Sequence, residues 1–240
     1  VGTSTPENYF PSSACLLQDK LGIINQSAAF DVSAACSGFI YALTVAERFV
    51  AAGDCEYALV VGVDALARLI DWSDRGTCVL FGDGAGACVI KRSDQPGILA
   101  SSLHARGDYH SHLYVPTPIW DSQQNSYIIM KGNETFRIAV SKLGETIQDI
   151  VDKAGVSCED IDWFIPHQAN YRIIQATVKR LGLSMDKVVM TIKDHGNTSA
   201  ASVPLAFHEA LVDGRIQPGQ LILLEAFGGG FTWGSVLLRM

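Results

Sequence analysis

The chain has 240 residues, of which 48% are hydrophobic and 18% charged, and its formal net charge is −7. This composition is typical of a compact globular protein with a large core, and the acidic balance, without a basic run or tail, argues against a nucleic-acid-binding protein. Six scattered cysteines without CxxC pairs or short Cys/His spacings predict reduced thiols in a cytoplasmic protein, with neither a disulfide framework nor a metal site. The sequence contains no apolar run of membrane-spanning length and no signal peptide, so we expect no membrane association.

The first half of the chain predicts alternating helices and strands. Residues 1–5 resemble the end of a strand, and the chain begins at Val1 without a methionine, so we expect an upstream segment. The further predicted elements are a helix over 12–21, a strand over 28–32, a helix over 38–52, a central strand over 57–63 covered on both faces, a polar loop over 71–77 and a strand over 87–91.

The second half repeats this alternation after an irregular connecting segment. Residues 94–132 are rich in Pro, His, Ser and Asn, with short strand-like pieces such as 126–130, and we expect them to connect two halves and cover a site. The elements predicted after this segment are helices over 133–154, 171–181 and 199–212, and strands over 162–165, 188–192, 221–226 and 233–239.

Two passages of the chain resemble each other. A strand, a Phe-Gly-x-Gly turn and a second strand occur at 57–91 and again at 221–239, each preceded by a strand–turn–helix unit, at 28–52 and 188–212. Such a repeat predicts an α/β fold of two pseudo-symmetric halves whose helix starts face each other across the midline. We therefore divide the chain into an N-terminal half at 1–93, a connecting segment at 94–132 and a C-terminal half at 133–240.

Cys36 is the first candidate for chemistry, because it lies between a predicted strand and the start of a predicted helix. The unpaired N–H groups of a helix start favour negative charge, so we expect them to lower the pKa of this thiol and stabilise a thiolate. The alternative is structural, since free cysteine is often only a small buried hydrophobe.

His167 and Asn197 lie in two further polar turns at strand ends, where sites form in α/β sheets. The repeat places Asn197 and its neighbours where Cys36 falls in the first half, so we expect Cys36 and Asn197 to lie close together. Each residue also has a structural alternative: His167 as a hydrogen-bonded histidine before a helix, and Asn197 as a helix cap or left-handed turn.

Eight motifs distributed along the chain identify a family. They are FPSSAC at 10–15, DVSAACSG at 31–38, DRGT at 74–77, FGDGAG at 81–86, GNE at 132–134, PHQAN at 166–170, HGNTSAAS at 195–202 and EAFGGGFTWG at 225–234. With these motifs the chain resembles β-ketoacyl-acyl-carrier-protein synthase III, the initiating condensing enzyme of type II fatty acid synthesis. The resemblance implies a thiolase-like fold in layered α-β-α-β-α arrangement, and a further quarter of chain, with the first strands, before Val1.

The resemblance also implies a role for each residue of the candidate site. Cys36 would take an acetyl or other short acyl group from coenzyme A as a thioester. Malonyl-carrier protein would then lose carbon dioxide, with neutral His167 and Asn197 as donors to the oxygen of its enolate. The backbone N–H groups of Cys36 and Gly229 would bind the attacked acyl oxygen.

Further positions match the family's binding surfaces. The coenzyme A and pantetheine channel would be lined by Arg75, Gly132, Asn133, Phe136, Ala169, Asn170 and Arg172. Phe10 matches an aromatic residue that reaches into the partner subunit's acyl pocket, which implies a homodimer. A basic cluster is a plausible dock for the acidic carrier protein, or else an ordinary solvated face; its members are Arg137, Arg172, Lys179 and Arg180. The resemblance implies no cofactor and no metal, with coenzyme A thioester as substrate.

Four other functions compete with this interpretation. A Cys-His-Asn set also fits papain-like hydrolysis, but the protease signatures around the cysteine are missing and the repeated α/β halves do not fit that fold. A thiolase proper is disfavoured because Phe231 and Thr232 replace its second cysteine. An initiating synthase of a quinolone or polyketide pathway, and a truncated fragment that only binds a partner, stay open.

Overall fold

The structure is a computed structural model, and it describes residues 1–95, 97–119, 123 and 125–240. Five residues of the predicted connecting segment 94–132, namely 96, 120–122 and 124, lie outside the described residues. The boundaries predicted for the two halves and their connecting segment stay a prediction.

The described residues form six α-helices and eight strands, close to the predicted order. The helices are α1 (Ser13–Lys20), α2 (Gly38–Ala52), α3 (Gly132–Ala154), α4 (Tyr171–Leu181), α5 (Ile192–His195) and α6 (Ser202–Val212). The strands are β1 (Tyr57–Ala65), β2 (Asp83–Lys91), β3 (Ile98–Ala105), β4 (Leu113–Tyr114), β5 (Ile129–Met130), β6 (Trp163–Pro166), β7 (Leu221–Gly228) and β8 (Thr232–Arg239).

Helix ends follow the capping residues in the sequence. The Ser12 hydroxyl accepts a hydrogen bond from the backbone N–H of Cys15 and begins α1. Helices α2, α3 and α4 each end at a glycine in the left-handed conformation, namely Gly53, Gly155 and Gly182. The predicted ends of these helices are therefore confirmed to within one or two residues.

Apart from the two-stranded sheet of β4 and β5, the described residues form two sheets with corresponding strand orders. In the larger sheet, β6 pairs parallel with β7, β7 antiparallel with β8, and β8 antiparallel with β3. In the smaller sheet, β1 pairs antiparallel with β2, and Gly2 lies beside β1 through a parallel bridge to Gly62. Residues 1–3 thus stand where β6 stands in the second half, which confirms the prediction of a strand end there.

The strands predicted over 28–32 and 188–192 are wrong as continuous strands. Each is reduced to one parallel bridge: Val32 pairs with Gly2, and Val188 with Phe164. The chain after Val32 turns into the 3-10 helix at 35–37, and the chain after Val188 turns into the short helix α5. The two wrong predictions lie at equivalent positions of the two halves, and this agreement is a further sign of the internal repeat.

Two 3-10 turns precede the central helices at equivalent positions. Residues 35–37 lead directly into α2, and residues 199–201 lead directly into α6. Their first residues, Ala35 and Ser199, share a left-handed backbone with φ of 47° and 52°, which non-glycine residues rarely adopt. The structural counterpart of Cys36 is therefore Ala200, and the motif residue Asn197 lies three positions before it.

The core consists of two layers of side chains, one on each face of the larger sheet. Ile222 and Leu224 of β7 pack with α2 and α6, whereas Leu221 and Leu223 pack with α3 and α4. This alternation places both faces of β7 in the core, and every residue of that strand is buried.

Strand β1 differs from its prediction as a strand covered on both faces. Its outward side chains Tyr57 and Leu59 are exposed, as is Val89 opposite Leu59 on β2. The inward residues, such as Val60, pack against α2 and α6. Helices therefore cover one face of this sheet.

One segment, Ala35–Ala52, is long and apolar enough to cross a membrane by length and composition alone. Half of it is buried inside the fold, where Phe39, Ile40 and Leu43 join the central core. A core helix of a soluble protein passes the same test, and this segment occupies that position.

The smaller sheet and the turn at 199–201 approach so closely that one backbone position excludes any side chain. A Cβ atom on Gly62 would lie 2.2 Å from the backbone oxygen of Ala200. We predict that Gly62→Ala destabilises the fold by at least about 2 kcal/mol, because buried backbone must move. Chemical denaturation measures this, with Gly107→Ala as control, since nothing lies within 4 Å of a Cβ there. Equal stability of the two variants would contradict the packing described.

Candidate active site

A cavity of about 570 Å³ opens where β6 ends and the two 3-10 turns meet. Cys36, His167 and Asn197 all line it, although more than 130 residues separate the first from the other two. The prediction that Cys36 and Asn197 lie close together is confirmed. The cavity gathers a thiol, an imidazole and an amide.

Cys36 is the buried middle residue of the first turn, and a hydroxyl from the second turn contacts it. The Ser199 Oγ donates a hydrogen bond to the Cys36 Sγ over 3.3 Å. Burial raises the pKa of Cys36 to about 12, although the Ser199 hydroxyl and the cysteine's own backbone N–H lower that pKa. The prediction of a thiolate stabilised by the helix start is therefore wrong for the unliganded protein: the helix start acts in the expected direction, but loss of water outweighs it.

The end of β7 holds the turn around Cys36 by close backbone approach. A Cβ atom on Gly228 would lie 2.6 Å from the backbone nitrogen of Cys36, so only glycine fits there. The Thr232 Oγ1 donates to the Ala34 backbone oxygen over 2.9 Å, which links the same turn to β8. Of the glycines at the end of β7, Gly228 is thus the one whose backbone approaches Cys36. The predicted role of the Gly229 N–H, binding the attacked acyl oxygen, stays a prediction.

Backbone and side-chain hydrogen bonds fix Asn197. Its N–H donates to the Leu80 oxygen, and its own oxygen accepts from the N–H of Gly82, both over 2.9 Å. The Asn197 Oδ1 accepts from the Ser199 N–H over 2.9 Å. Because Oδ1 is engaged in the turn, the Nδ2 amide is the part of the side chain suited to donate into the cavity.

His167 follows the last residue of β6 and is a neutral imidazole. The backbone N–H of His167 donates to the backbone oxygen of Glu225 over 2.7 Å, and this hydrogen bond continues the ladder between β6 and β7. Burial lowers the pKa of the ring to about 3, so the ring is uncharged at neutral pH. The Nδ1 atom lies 2.6 Å from the Ser202 Oγ. The structure thus agrees with the expectation of a neutral His167.

Glu225 is a buried acid in the wall of the same cavity. Among the described residues neither carboxyl oxygen has a hydrogen-bond partner. Burial raises the pKa of this carboxyl well above its ordinary value. Burial therefore favours the uncharged form of all three groups, namely the Cys36 thiol, the His167 imidazole and the Glu225 carboxyl.

Asp64, at the end of β1, links the two halves of the chain by hydrogen bonds next to the site. Its carboxylate accepts from the N–H groups of Ser4 (2.6 Å) and Ala200 (3.2 Å) and from the hydroxyls of Thr3 and Thr5. Its negative charge also raises the pKa of Cys36. These contacts make Asp64 a structural anchor of the second turn.

Most of the predicted coenzyme A positions lie along the cavity. The six that line it are Gly132, Asn133, Phe136, Ala169, Asn170 and Arg172. Arg75 does not line it; this residue is exposed on the loop after β1. The side chain of Asn170 accepts from the N–H of Arg172 and caps α4, so it also has a structural duty.

The predicted docking cations lie on the surface of α3 and α4. Arg137, Arg172, Lys179 and Arg180 are all exposed. Arg180 is partly compensated, because its charge helps lower the pKa of Glu145. Phe10 lies away from the cavity of its own chain and is 86% exposed.

A metal site has no support in the part of the chain that the structure describes, since no group of three or more His, Cys, Asp or Glu side chains converges there. All six cysteines are free thiols.

Four residues of the site were not assigned a role from the sequence: Asp64, Ser199, Ser202 and Glu225. Three of them lie inside quoted motifs, but a motif does not say which side chain faces the cavity. Their contacts depend on the meeting of the two halves, as with the Ser199–Cys36 pair, which spans 163 positions of sequence.

Comparisons with known proteins identify the family to which this chain is similar. Residues 30–107 match the family model described as 3-oxoacyl-[acyl-carrier-protein (ACP)] synthase III, and residues 151–240 match its C-terminal model. The chain is 55% identical over its full length to the β-ketoacyl-[acyl-carrier-protein] synthase III of Xylella fastidiosa (strain 9a5c), and covers 75% of that relative.

Solved structures give the same picture. The 3-oxoacyl-[acyl-carrier-protein] synthase III of Aquifex aeolicus VF5 superposes with a TM-score of 0.93 at 48% identity, over 99% of this chain and 75% of that one. The priming β-ketosynthase of the R1128 polyketide biosynthetic pathway also gives 0.93, at 35% identity, over 99% of this chain and 73% of that one.

The first prediction from this site concerns the Cys36 thiol. Alkylation of Cys36 by iodoacetamide should rise about tenfold per pH unit between roughly pH 6 and 10 without a plateau, because only the thiolate reacts. Ser199→Ala should slow it by about three- to tenfold at each pH, because the hydrogen bond to sulfur is lost. Mass spectrometry of the Cys36 peptide measures the rate.

Ser12→Ala is the matched control for that experiment, since the Ser12 hydroxyl contacts the exposed Cys15 in the same way. It should leave the Cys36 rate unchanged. A plateau near neutral pH would mean that the thiolate already predominates there.

The second prediction concerns Glu225. Since its folded-state pKa lies above the ordinary 4.5, the folded protein holds this proton more tightly, and stability is lost as pH rises above 4.5. Glu225→Gln should therefore become progressively more stable than the wild type between pH 5 and 9, as measured by urea unfolding. A stability difference that does not change with pH would contradict a buried neutral acid.

Proposed function

The chain belongs to the 3-oxoacyl-[acyl-carrier-protein] synthase III family, the condensing enzymes that initiate fatty acid synthesis, and on that premise we propose roles for the cavity residues. Cys36 is the nucleophile, and His167 and Asn197 are the donors for the condensation step. The observation that carries the proposal is the convergence of these three side chains on one cavity.

In the first half-reaction the Cys36 sulfur attacks the carbonyl carbon of acetyl-CoA or another short acyl-CoA. The carbon–sulfur bond to coenzyme A breaks, and the proton of the thiol leaves with the coenzyme A sulfur. The raised pKa of Cys36 means that the thiol is the predominant form before substrate arrives, and the thiolate is the form that attacks. The product is acyl-Cys36, a thioester that stays reactive toward carbon nucleophiles.

In the second half-reaction the malonyl group of the carrier protein occupies the same cavity. Its carbon–carboxylate bond breaks, carbon dioxide leaves, and the electron pair moves to the thioester oxygen. His167 Nε2–H and the Asn197 Nδ2–H donate to that oxygen. The enolate carbon then attacks the carbonyl carbon of acyl-Cys36, the carbon–sulfur bond breaks, and the Cys36 sulfur leaves as a thiolate that takes a proton from solvent. Fixed hydrogen-bond donors in a cavity that excludes water stabilise the enolate effectively, because they need not reorient as negative charge develops on its oxygen.

The acyl carbonyl needs its own donors while it is attacked. We assign these to the backbone N–H groups of Cys36 and Gly229. Support comes from the close approach of the β7 end to the Cys36 turn at Gly228, which leaves room for backbone donors and none for a side chain.

Coenzyme A and the pantetheine arm share one route to Cys36. Gly132, Asn133 and Phe136 at the start of α3 form one wall of it, and Ala169, Asn170 and Arg172 before and in α4 form the other. Arg75, on its exposed loop, would contact the nucleotide end of coenzyme A. Arg75 and Arg172 are cationic, as recognition of phosphates requires.

The acidic carrier protein docks on the exposed cations of α3 and α4, namely Arg137, Arg172, Lys179 and Arg180. Arg172 also lines the cavity, so this surface reaches the mouth through which the pantetheine arm enters. In a chain of net charge −7, such a local cluster of cations would steer an acidic partner.

The remaining assignments follow the family. The enzyme acts as a homodimer in which Phe10, exposed here, enters the partner's acyl pocket; it is cytoplasmic, without membrane, nucleic-acid or metal partners and without a resident cofactor. Of the alternatives, a polyketide priming synthase is supported by a solved structure at 35% identity, against the β-ketoacyl-[acyl-carrier-protein] synthase III of Xylella fastidiosa at 55% identity.

The proposal predicts that the two half-reactions separate by mutation. Cys36→Ala should abolish transfer of radiolabelled acetyl from acetyl-CoA to the protein. His167→Ala and Asn197→Ala should retain it but release carbon dioxide from malonyl-carrier protein about 10²–10³-fold more slowly, since each loses one enolate donor.

His208→Ala, at an exposed position on α6, is the control and should leave both half-reactions intact. If Asn197→Ala abolished acetyl transfer while malonyl decarboxylation continued, the role assigned to Asn197 would be wrong.

A further inference from the structure

The inference concerns Ser202, the first residue of α6, which the mechanism above does not use. Its Oγ lies 2.6 Å from the His167 Nδ1, and both residues are buried. Among the described residues this is the one hydrogen bond to the His167 ring. A contact this short, away from water, determines how the ring is protonated.

The direction of that hydrogen bond is inferred from the acceptors available to the Ser202 hydroxyl proton. The Ser202 Oγ accepts from the backbone N–H of Gln168 over 3.4 Å, which leaves its proton free to donate. Among the described residues, the acceptor within hydrogen-bonding distance of that proton is the Nδ1 of His167. A neutral imidazole that accepts at Nδ1 must carry its proton on Nε2.

We propose that Ser202 is a positioning residue that holds neutral His167 in the Nε2–H tautomer, so that the ring presents a donor to the malonyl thioester oxygen. This inference rests on the proposed role of His167 and adds the group that makes that role possible. In the other tautomer Nε2 would present a lone pair to the enolate oxygen, which repels it.

Because the His167 ring is uncharged, its tautomer decides whether Nε2 can donate a hydrogen bond. Burial holds the pKa of His167 at about 3, so across the neutral range the ring has one proton, and its location alone decides whether Nε2 donates. Within the described part of the chain no acidic side chain hydrogen-bonds to the ring, so Ser202 is the side chain that sets its tautomer.

The repeat explains why a hydroxyl is available here. Counting from the paired turns, Ser202 is the counterpart of Gly38 in the first half. At Gly38 a Cβ atom would lie 3.3 Å from the Cα of Gly2, so that position is tightly packed. At 202 the same helix start has room for a side chain that reaches β6, and the second half thereby gains a polar contact that the first half lacks.

The backbone around His167 is fixed independently of Ser202. The Gln168 side-chain amide donates to the Pro166 and Val189 oxygens, and its Oε1 accepts from the N–H groups of Thr191 and Ile192. Loss of the Ser202 hydroxyl should therefore leave the loop in place and change the ring alone.

The test compares Ser202→Ala with Ser202→Thr, which keeps the hydroxyl. Ser202→Ala should acylate Cys36 from acetyl-CoA within twofold of the wild type, but decarboxylate malonyl-carrier protein about tenfold more slowly, the effect of losing one neutral hydrogen bond. Ser202→Thr should restore most of the decarboxylation rate. Ser235→Ala, which removes a buried hydroxyl outside the cavity, controls for packing.

A spectroscopic readout tests the tautomer without turnover. Nitrogen-15 NMR of histidine-labelled protein should show the His167 Nδ1 unprotonated and the Nε2 protonated in the wild type and in Ser202→Thr, and a mixture of tautomers in Ser202→Ala. This readout does not depend on the proposed reaction. A wild type that fails to decarboxylate malonyl-carrier protein would overturn the proposed function. The tautomer of His167 would still be decided by the spectrum.

Two results would overturn the inference. One is a wild-type spectrum with the proton on Nδ1. The other is a Ser202→Ala variant that keeps both the wild-type spectrum and the wild-type rate of decarboxylation. If Ser202→Ala failed to fold, the first of these results could still be read from the wild type and from Ser202→Thr.

Discussion

The site depends on the contact between two 3-10 turns, residues 35–37 and 199–201, at the starts of the two central helices. Both turns begin at a non-glycine residue with positive φ, a conformation that persists only when surrounding contacts enforce it. Those contacts are close backbone approaches, with Gly62 against Ala200 and Gly228 against Cys36, and the Asp64 carboxylate that accepts from Ala200. The same packing that joins the two halves therefore places the thiol beside the serine and asparagine.

Burial then sets the protonation of the cavity. It raises the pKa of Cys36 and Glu225 and lowers that of His167, and all three shifts favour the uncharged form. Groups that favour the uncharged form suit a reaction in which the charge appears on the substrate, because fixed N–H dipoles can then stabilise that charge.

Much of the fold and of the principal site could be predicted from the sequence. Helix ends at Gly53 and Gly182 followed from local rules, and the internal repeat correctly brought Cys36 toward Asn197. Properties that depend on the assembled molecule could not be predicted. The thiolate expected at Cys36 was wrong because helix-start effects are local, whereas desolvation depends on everything packed around the sulfur. The exposed outer face of β1 and the contacts of Ser199 and Ser202 likewise depend on tertiary neighbours that no short pattern encodes.

The central claim is that acyl-Cys36 is the intermediate that the malonyl enolate attacks. The most direct measurement isolates the protein after one equivalent of isotopically labelled acetyl-CoA, localises the acetyl group by peptide mass spectrometry, and then adds malonyl-carrier protein. The account predicts one acetyl group on Cys36 that passes quantitatively into 3-ketobutyryl-carrier protein, with loss of carbon dioxide. Acetyl on another cysteine, or acetyl-Cys36 that is released only as acetate, would contradict it.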